Sequence, residues 1–66
     1  MKLLINGEAV EARARLLSVL LIELGYDAAG FLATAVNGEL VPVHDRLAFS
    51  LSESDRIEIL MPMQGG

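Results

Sequence analysis

Residues 55–61 read DRIEILM, and the alternation in this stretch decides how the rest of the chain is read. Ile57, Ile59 and Met61 fall on one side of an extended backbone, while Arg56, Glu58 and Leu60 fall on the other. Successive side chains of a strand point to opposite faces, so a period of two marks a strand with one covered face and one open face. No other stretch alternates as cleanly, which places this strand at the centre of the sheet.

A second alternating stretch lies at the start of the chain, MKLLINGEAVEA, broken by Asn6-Gly7. Asn-Gly suits the two positive φ angles of a type I′ turn, so Leu3 and Ile5 before it, and Val10 and Ala12 after it, predict a β-hairpin with one apolar face. Next comes RLLSVLLIELGY. Leu17, Leu20, Leu21 and Leu24 recur at i, i+3, i+4 and i+7, the spacing of one helical face, which predicts a helix near 16–24. Gly25 stands where a left-handed residue closes a helix, with Tyr26 following as its apolar contact. No Ser, Thr, Asp or Asn immediately precedes Leu16, so the N-terminal cap is unidentified. Val19 and Ile22 widen the apolar stripe toward surface expected to be polar. A second turn, Asn37-Gly38, lies between Val36 and Leu40, and Pro42 limits the pairing of the return strand. A helical turn is expected around residues 44–47.

The order is therefore strand, strand, helix, strand, strand, strand. One helix covering one face of a mixed sheet gives an α+β domain. A right-handed connection through the helix makes the first and last strands parallel neighbours. That arrangement is the ubiquitin-like β-grasp, a mixed sheet of four to five strands with its helix on the face bearing Leu3, Ile5, Ile57 and Ile59. The chain divides into a single domain, residues 1–61, and a flexible tail, residues 62–66, ending in Gly-Gly.

Composition removes several functions. The chain has 66 residues, no cysteine, one histidine and a net charge of −4. Without cysteine there is no side-chain persulfide, thiolate nucleophile or zinc knuckle, and His44 alone makes no metal site. No basic block exists to track a phosphate backbone, so nucleic acid is not expected as a partner. The apolar run LLSVLLI is far shorter than the roughly 20 residues of a membrane span, and Glu23 and Asp27 follow it. With no membrane segment, no targeting signal and no cysteine, the expected location is the cytoplasm. No acid/base pair, nucleophile or metal set assembles, so the chain is not expected to be an enzyme in its own right.

AVNGELVP at residues 35–42, DRIEI at 55–59 and the terminal Gly65-Gly66, with LLINGE near the start and LLIELG at the helix end, resemble a ThiS-family sulfur carrier of thiamine biosynthesis. The resemblance spans nearly the whole chain. It implies that the terminal carboxylate is the working group. A ThiF-type adenylyltransferase activates it with ATP, a sulfur donor protein supplies the sulfur, and thiazole synthase of the ThiG type takes it from the resulting thiocarboxylate. Carried onto this sequence, the sulfur-bearing residue is Gly66, and Pro62, Met63, Gln64 and Gly65 present it to partner active sites. No bound cofactor is implied. The chain departs from the family's pattern at Ser54, where a glycine is usual before the last strand, at Leu16, where Thr is usual, and at Val19 and Ile22, where acidic residues are usual.

The chemistry suits such a tail. A terminal carboxyl ionises at about pH 3.3–3.7, so at neutral pH it is an anion able to attack the α-phosphate of ATP. Two glycines without Cβ pass through a narrow pocket, and Pro62 stiffens the exit from the sheet. Gln64 to Gly66 are expected to be mobile in the free protein. Leu4 and Leu60 are either ordinary exposed apolar residues or, if they share the open sheet face, a docking patch. Glu53, Asp55 and Glu58 read as solvated surface rather than a steering patch. The alternatives are a molybdopterin synthase small-subunit-like sulfur carrier, a ubiquitin-like modifier and a plain interaction domain. Lys2 is the only lysine, which gives poor support to chains built through an internal lysine. Dimerisation through the extra apolar surface is left open.

Overall fold

The computed structural model describes residues 1–27 and 31–61. Along these residues run strands β1 (Lys2–Ile5) and β2 (Glu8–Glu11), helix α1 (Leu17–Glu23), strands β3 (Ala33–Val36) and β4 (Glu39–Val41), a 3₁₀ helix (Val43–Ala48) and strand β5 (Arg56–Leu60). They form one sheet in the order β2-β1-β5-β3-β4. The alternating stretch at 55–61 thus supplies the central strand. It runs parallel to β1, with Ile5 opposite Ile57, and antiparallel to β3, with Thr34 opposite Ile59. This is the expected β-grasp.

Both hairpin turns take the form their Asn-Gly pairs require, with φ of 49° at Asn6 and 52° at Asn37. β4 stops at Val41, immediately before Pro42, which has no N–H to continue a ladder. The 3₁₀ helix occupies the place of the expected helical turn.

Helix α1 ends in a Schellman motif. The N–H of Tyr26 donates to the Leu21 carbonyl at 2.8 Å and that of Gly25 to Ile22 at 3.0 Å, with Gly25 at φ 92°. Its start has no side-chain cap. Instead the Leu17 N–H donates to the carbonyl of Phe49 at 3.0 Å, and the Leu51 N–H donates to Arg15 at 2.8 Å. A tertiary contact replaces the capping side chain that the sequence lacks, satisfying a donor that would otherwise be orphaned. Glu23, at the other end of the helix, accepts from the backbone N–H groups of Arg13 and Ala14 and ties the β2–α1 connection to the helix.

Leu17, Leu20 and Leu21 of the helix pack with Leu3, Ile5, Ile57 and Ile59 of the sheet in one apolar core. The core face is therefore the expected one. Met61, on the same parity as Ile57 and Ile59, is exposed because it lies past the end of β5. Val19 and Ile22 are exposed on α1. Among the described residues the one buried charged side chain is Arg46 of the 3₁₀ helix. Its Nε donates to Thr34 Oγ1 at 3.1 Å and its guanidinium to the Leu32 carbonyl. Thr34 Oγ1 in turn donates to the Val41 carbonyl at 2.8 Å. Burial of a charge is tolerable only with such partners.

Ser54 adopts φ 71°, the left-handed region. The turn around it is held by the Ser54 N–H on the Lys2 carbonyl (2.7 Å) and by the Ser52 N–H on Asp55 Oδ2 (2.8 Å). A serine thus occupies a position whose backbone favours glycine.

Candidate functional site

The sheet face away from α1 carries the even-numbered residues of β5. Across this face Leu4 stands opposite Arg56, Glu58 opposite Ala35, and Leu60 opposite Ala33. Leu4 and Leu60 therefore share the open face, but not one spot. Leu60 is four residues beyond Leu4's partner along β5, about 13 Å at strand rise. Leu4 is 37% exposed and Leu60 71%.

Leu60 has different neighbours from the one the sequence suggested. Phe31, Leu32, Ala33 and Leu60 line a shallow apolar depression of about 300 Å³. Leu40 of β4, 72% exposed, stands opposite Ala35 on the same face. The small Ala33 and Ala35 of β3 thus lie between Leu60 and Glu58 of β5 on one side and Leu40 of β4 on the other, a trough beside Phe31, which lines one depression with Leu60 and another with Leu40. Phe31 and Leu40 were missed in the sequence because the register of β3 between β4 and β5 brings them there. The trough lies beside the end of β5, from which residues 62–66 continue. Pro62, Met63, Gln64, Gly65 and Gly66, and the expected mobility of Gln64 to Gly66, lie outside the described residues.

The end of β5 is held on both sides. Toward β3 it is paired as described. Toward β1, the carboxamide of Asn6 meets the backbone of Ile59. Oδ1 accepts from the Ile59 N–H at 2.8 Å, and Nδ2 donates to the Ile59 carbonyl at 3.1 Å. Asn37 does related work at the start of the strand, where its Oδ1 accepts from the Arg56 N–H at 2.9 Å and its Nδ2 donates to Asp55 at 2.9 Å.

The acidic residues near the last turn are used locally. Glu53 accepts from the Lys2 N–H at 3.0 Å, and Asp55 accepts from Ser52 and Asn37, while Glu58 stands on the open face. His44 lies at the surface with Asp45, 3.7 Å away. Among the described residues no three potential metal-ligating side chains come together, and no helix is long and apolar enough to cross a membrane.

A five-stranded mixed sheet with a parallel central pair and one helix across it defines a ubiquitin-like β-grasp protein. The ThiS family model matches residues 3–66, and the chain belongs to the ThiS family. It is similar in structure to the crystal structure of the thiamine biosynthesis protein ThiS from Geobacter metallireducens, at 26% identity over all of both chains, with a TM-score of 0.84. It is also similar to a solution NMR structure of a thiamine biosynthesis protein from the same organism, at 26% identity, covering all of this chain and 88% of that one, with a TM-score of 0.81. Comparison with curated protein sequences gives no match.

Proposed function

We propose that this protein is a sulfur carrier for assembly of the thiazole moiety of thiamine, with Gly66 as the residue that bears the sulfur. The observation that carries this reading is the family match running from residue 3 through the terminal Gly-Gly. The chain is a protein co-substrate. Its carboxylate is the reactant, and partner enzymes do the catalysis.

In the first step a carboxylate oxygen of Gly66 attacks the α-phosphorus of ATP within a ThiF-type adenylyltransferase. A P–O bond forms and pyrophosphate leaves, giving an acyl-adenylate. In the second, sulfur at the sulfide level, delivered by a donor protein, attacks the acyl carbon. A C–S bond forms and AMP leaves, giving the thiocarboxylate that a ThiG-type thiazole synthase uses. Cysteine is dispensable because sulfur rides on the main-chain carbonyl.

The trough of Leu60, Ala33, Ala35, Leu40 and Phe31 suits a partner's apolar surface. An exposed apolar patch of this kind marks an interaction site, and this one adjoins the root of the tail. Docking there and insertion of the tail would be one event. Leu4, further along the same face, would extend the contact.

The test is ATP–pyrophosphate exchange with a ThiF-type enzyme. Removal of Gly66 retracts the carboxylate by about 3.3–3.6 Å of extended chain. A misplacement near 1 Å can cost about a hundredfold in rate, so exchange should be nearly lost while thermal melting is unchanged. One residue added after Gly66 should be equally damaging. Undiminished exchange by either variant would overturn the proposal.

A further inference from the structure

We infer that Asn6 is a positioning residue for the C-terminal tail, acting through its hydrogen bonds to the backbone of Ile59. The inference rests on the sulfur-carrier reading, since only a reactive terminus needs a fixed root.

The backbone ladder explains why a side chain is needed there. Asp55 and Ile57 turn their carbonyls toward β1, where they accept from the N–H groups of Leu4 at 3.0 Å and Asn6 at 2.9 Å. Ile59 is next in the same parity, so its N–H and carbonyl also face that side. β1 ends at Ile5, however, and the chain reverses through Asn6-Gly7 into β2. No backbone of β1 reaches Ile59. The Asn6 carboxamide, one acceptor and one donor in a plane, substitutes for the missing peptide group at 2.8 Å and 3.1 Å. It extends the parallel pairing by one step, as far as the penultimate residue of β5.

Without this contact the last turn of the strand would be paired only with β3, and an unpaired strand side is free to fray and twist. Gly66 lies seven residues beyond Ile59, at most about 25 Å of extended chain. A looser root widens the range of directions in which the tail leaves the sheet, so a smaller fraction of docked chains holds the carboxylate within the roughly 1 Å to which reaction geometry is sensitive. Asn at position 6 thus has two separable tasks: its backbone takes the positive φ of the turn, and its side chain fixes the exit of β5.

Asn37 provides a matched control. It holds the same place in an Asn-Gly turn, at φ 52° against 49°, and its carboxamide also grips β5, but at Arg56, the end remote from the tail. Glycine tolerates positive φ, so Asn6→Gly and Asn37→Gly each keep the turn, delete the carboxamide and carry the same entropic cost of glycine, which cancels between them.

The experiment has two parts, both run on the full chain well below the melting temperature of either variant. Amide exchange should show Ile59 losing about tenfold or more of its protection in Asn6→Gly, as expected for local opening, while Leu4, bonded to Asp55, keeps its own. In ATP–pyrophosphate exchange with a ThiF-type enzyme, Asn6→Gly should lower kcat about tenfold, short of the hundredfold cost of a rigid misplacement. Its KM should stay near that of the unaltered chain, because docking through the open face is untouched. Asn37→Gly should leave kcat within about twofold, since its bonds act at the far end of the strand. Loss of stability alone would reduce the active fraction and raise apparent KM in both variants. Equal behaviour of the two variants, or unaltered protection at Ile59, overturns the inference and leaves the carrier reading intact. Failure of the unaltered chain to support exchange overturns the carrier reading and the inference with it.

Discussion

Replacing Ser54 by glycine should make this protein more stable. Ser54 sits at φ 71°, and a side chain in the left-handed region costs about 1–2 kcal/mol. The turn is fixed by contacts that do not involve the serine hydroxyl: Ser54 N–H to the Lys2 carbonyl at 2.7 Å, Asp55 N–H to Ser52 at 3.1 Å, Ser52 N–H to Asp55 Oδ2 at 2.8 Å. All of these survive the substitution. Opposing the relief is the larger entropy that glycine loses on folding, about 0.5–1 kcal/mol. The difference spans about 0–1.5 kcal/mol in favour of the variant, with a central value of about 0.75 kcal/mol. In a domain of this size about 1 kcal/mol moves the melting temperature by 4–8 °C, so the central value has Ser54→Gly melting about 3–6 °C higher. Ser54→Ala keeps a Cβ in the same strained backbone and should gain nothing. Calorimetry on the three proteins in one buffer decides the matter. A Ser54→Gly protein melting at or below the unaltered chain, or a Ser54→Ala protein gaining as much, would refute the assignment of strain to this residue.

Two further outcomes follow from the core and from the open face. Thr34→Val removes the acceptor of Arg46 Nε and the donor to Val41 from a buried position. Leaving buried groups short of a partner costs about 1–3 kcal/mol, so urea unfolding should show a lower midpoint with an unchanged slope. Leu60→Asp puts a charge on the exposed trough; stability should shift by no more than about 0.5 kcal/mol, as for surface changes generally, while KM for the carrier in ATP–pyrophosphate exchange rises. An unchanged KM would remove Leu60 from the docking surface.

Much of the fold was legible because its signals are local. An Asn-Gly pair accepts positive φ wherever it stands, so both turns could be read from two residues each. The helix end was equally plain: the Gly25 and Tyr26 bonds of the Schellman motif depend only on the preceding turn. The helix start was not, because its donor at Leu17 is satisfied by Phe49, a residue remote in sequence. Arg46 gave no sign of burial, since a charged residue in a connector reads as surface until Thr34 and Leu32 are brought beside it. The open face was half legible. Parity alone puts Leu4 and Leu60 on it, but their separation depends on how β1 and β5 are staggered, and no local pattern encodes that. For the same reason the trough with Phe31 and Leu40, and the grip of Asn6 on Ile59, emerged only from strand register.

The claim that Gly66 carries the sulfur can be put to one direct measurement. The chain contains no cysteine, so a thiol-selective alkylating reagent finds no side-chain sulfhydryl anywhere in it. The protein is incubated with ATP, a ThiF-type enzyme and a sulfide source, then alkylated, and the product is located by fragmentation mass spectrometry. Localisation matters because oxidation of any of the three methionines mimics the mass gain of exchanging oxygen for sulfur. One alkyl group per chain, on the sulfur of the C-terminal thiocarboxylate of Gly66 and dependent on ATP, is the result expected of a thiocarboxylate carrier. Absence of the label, or its attachment at any other residue, would contradict that role.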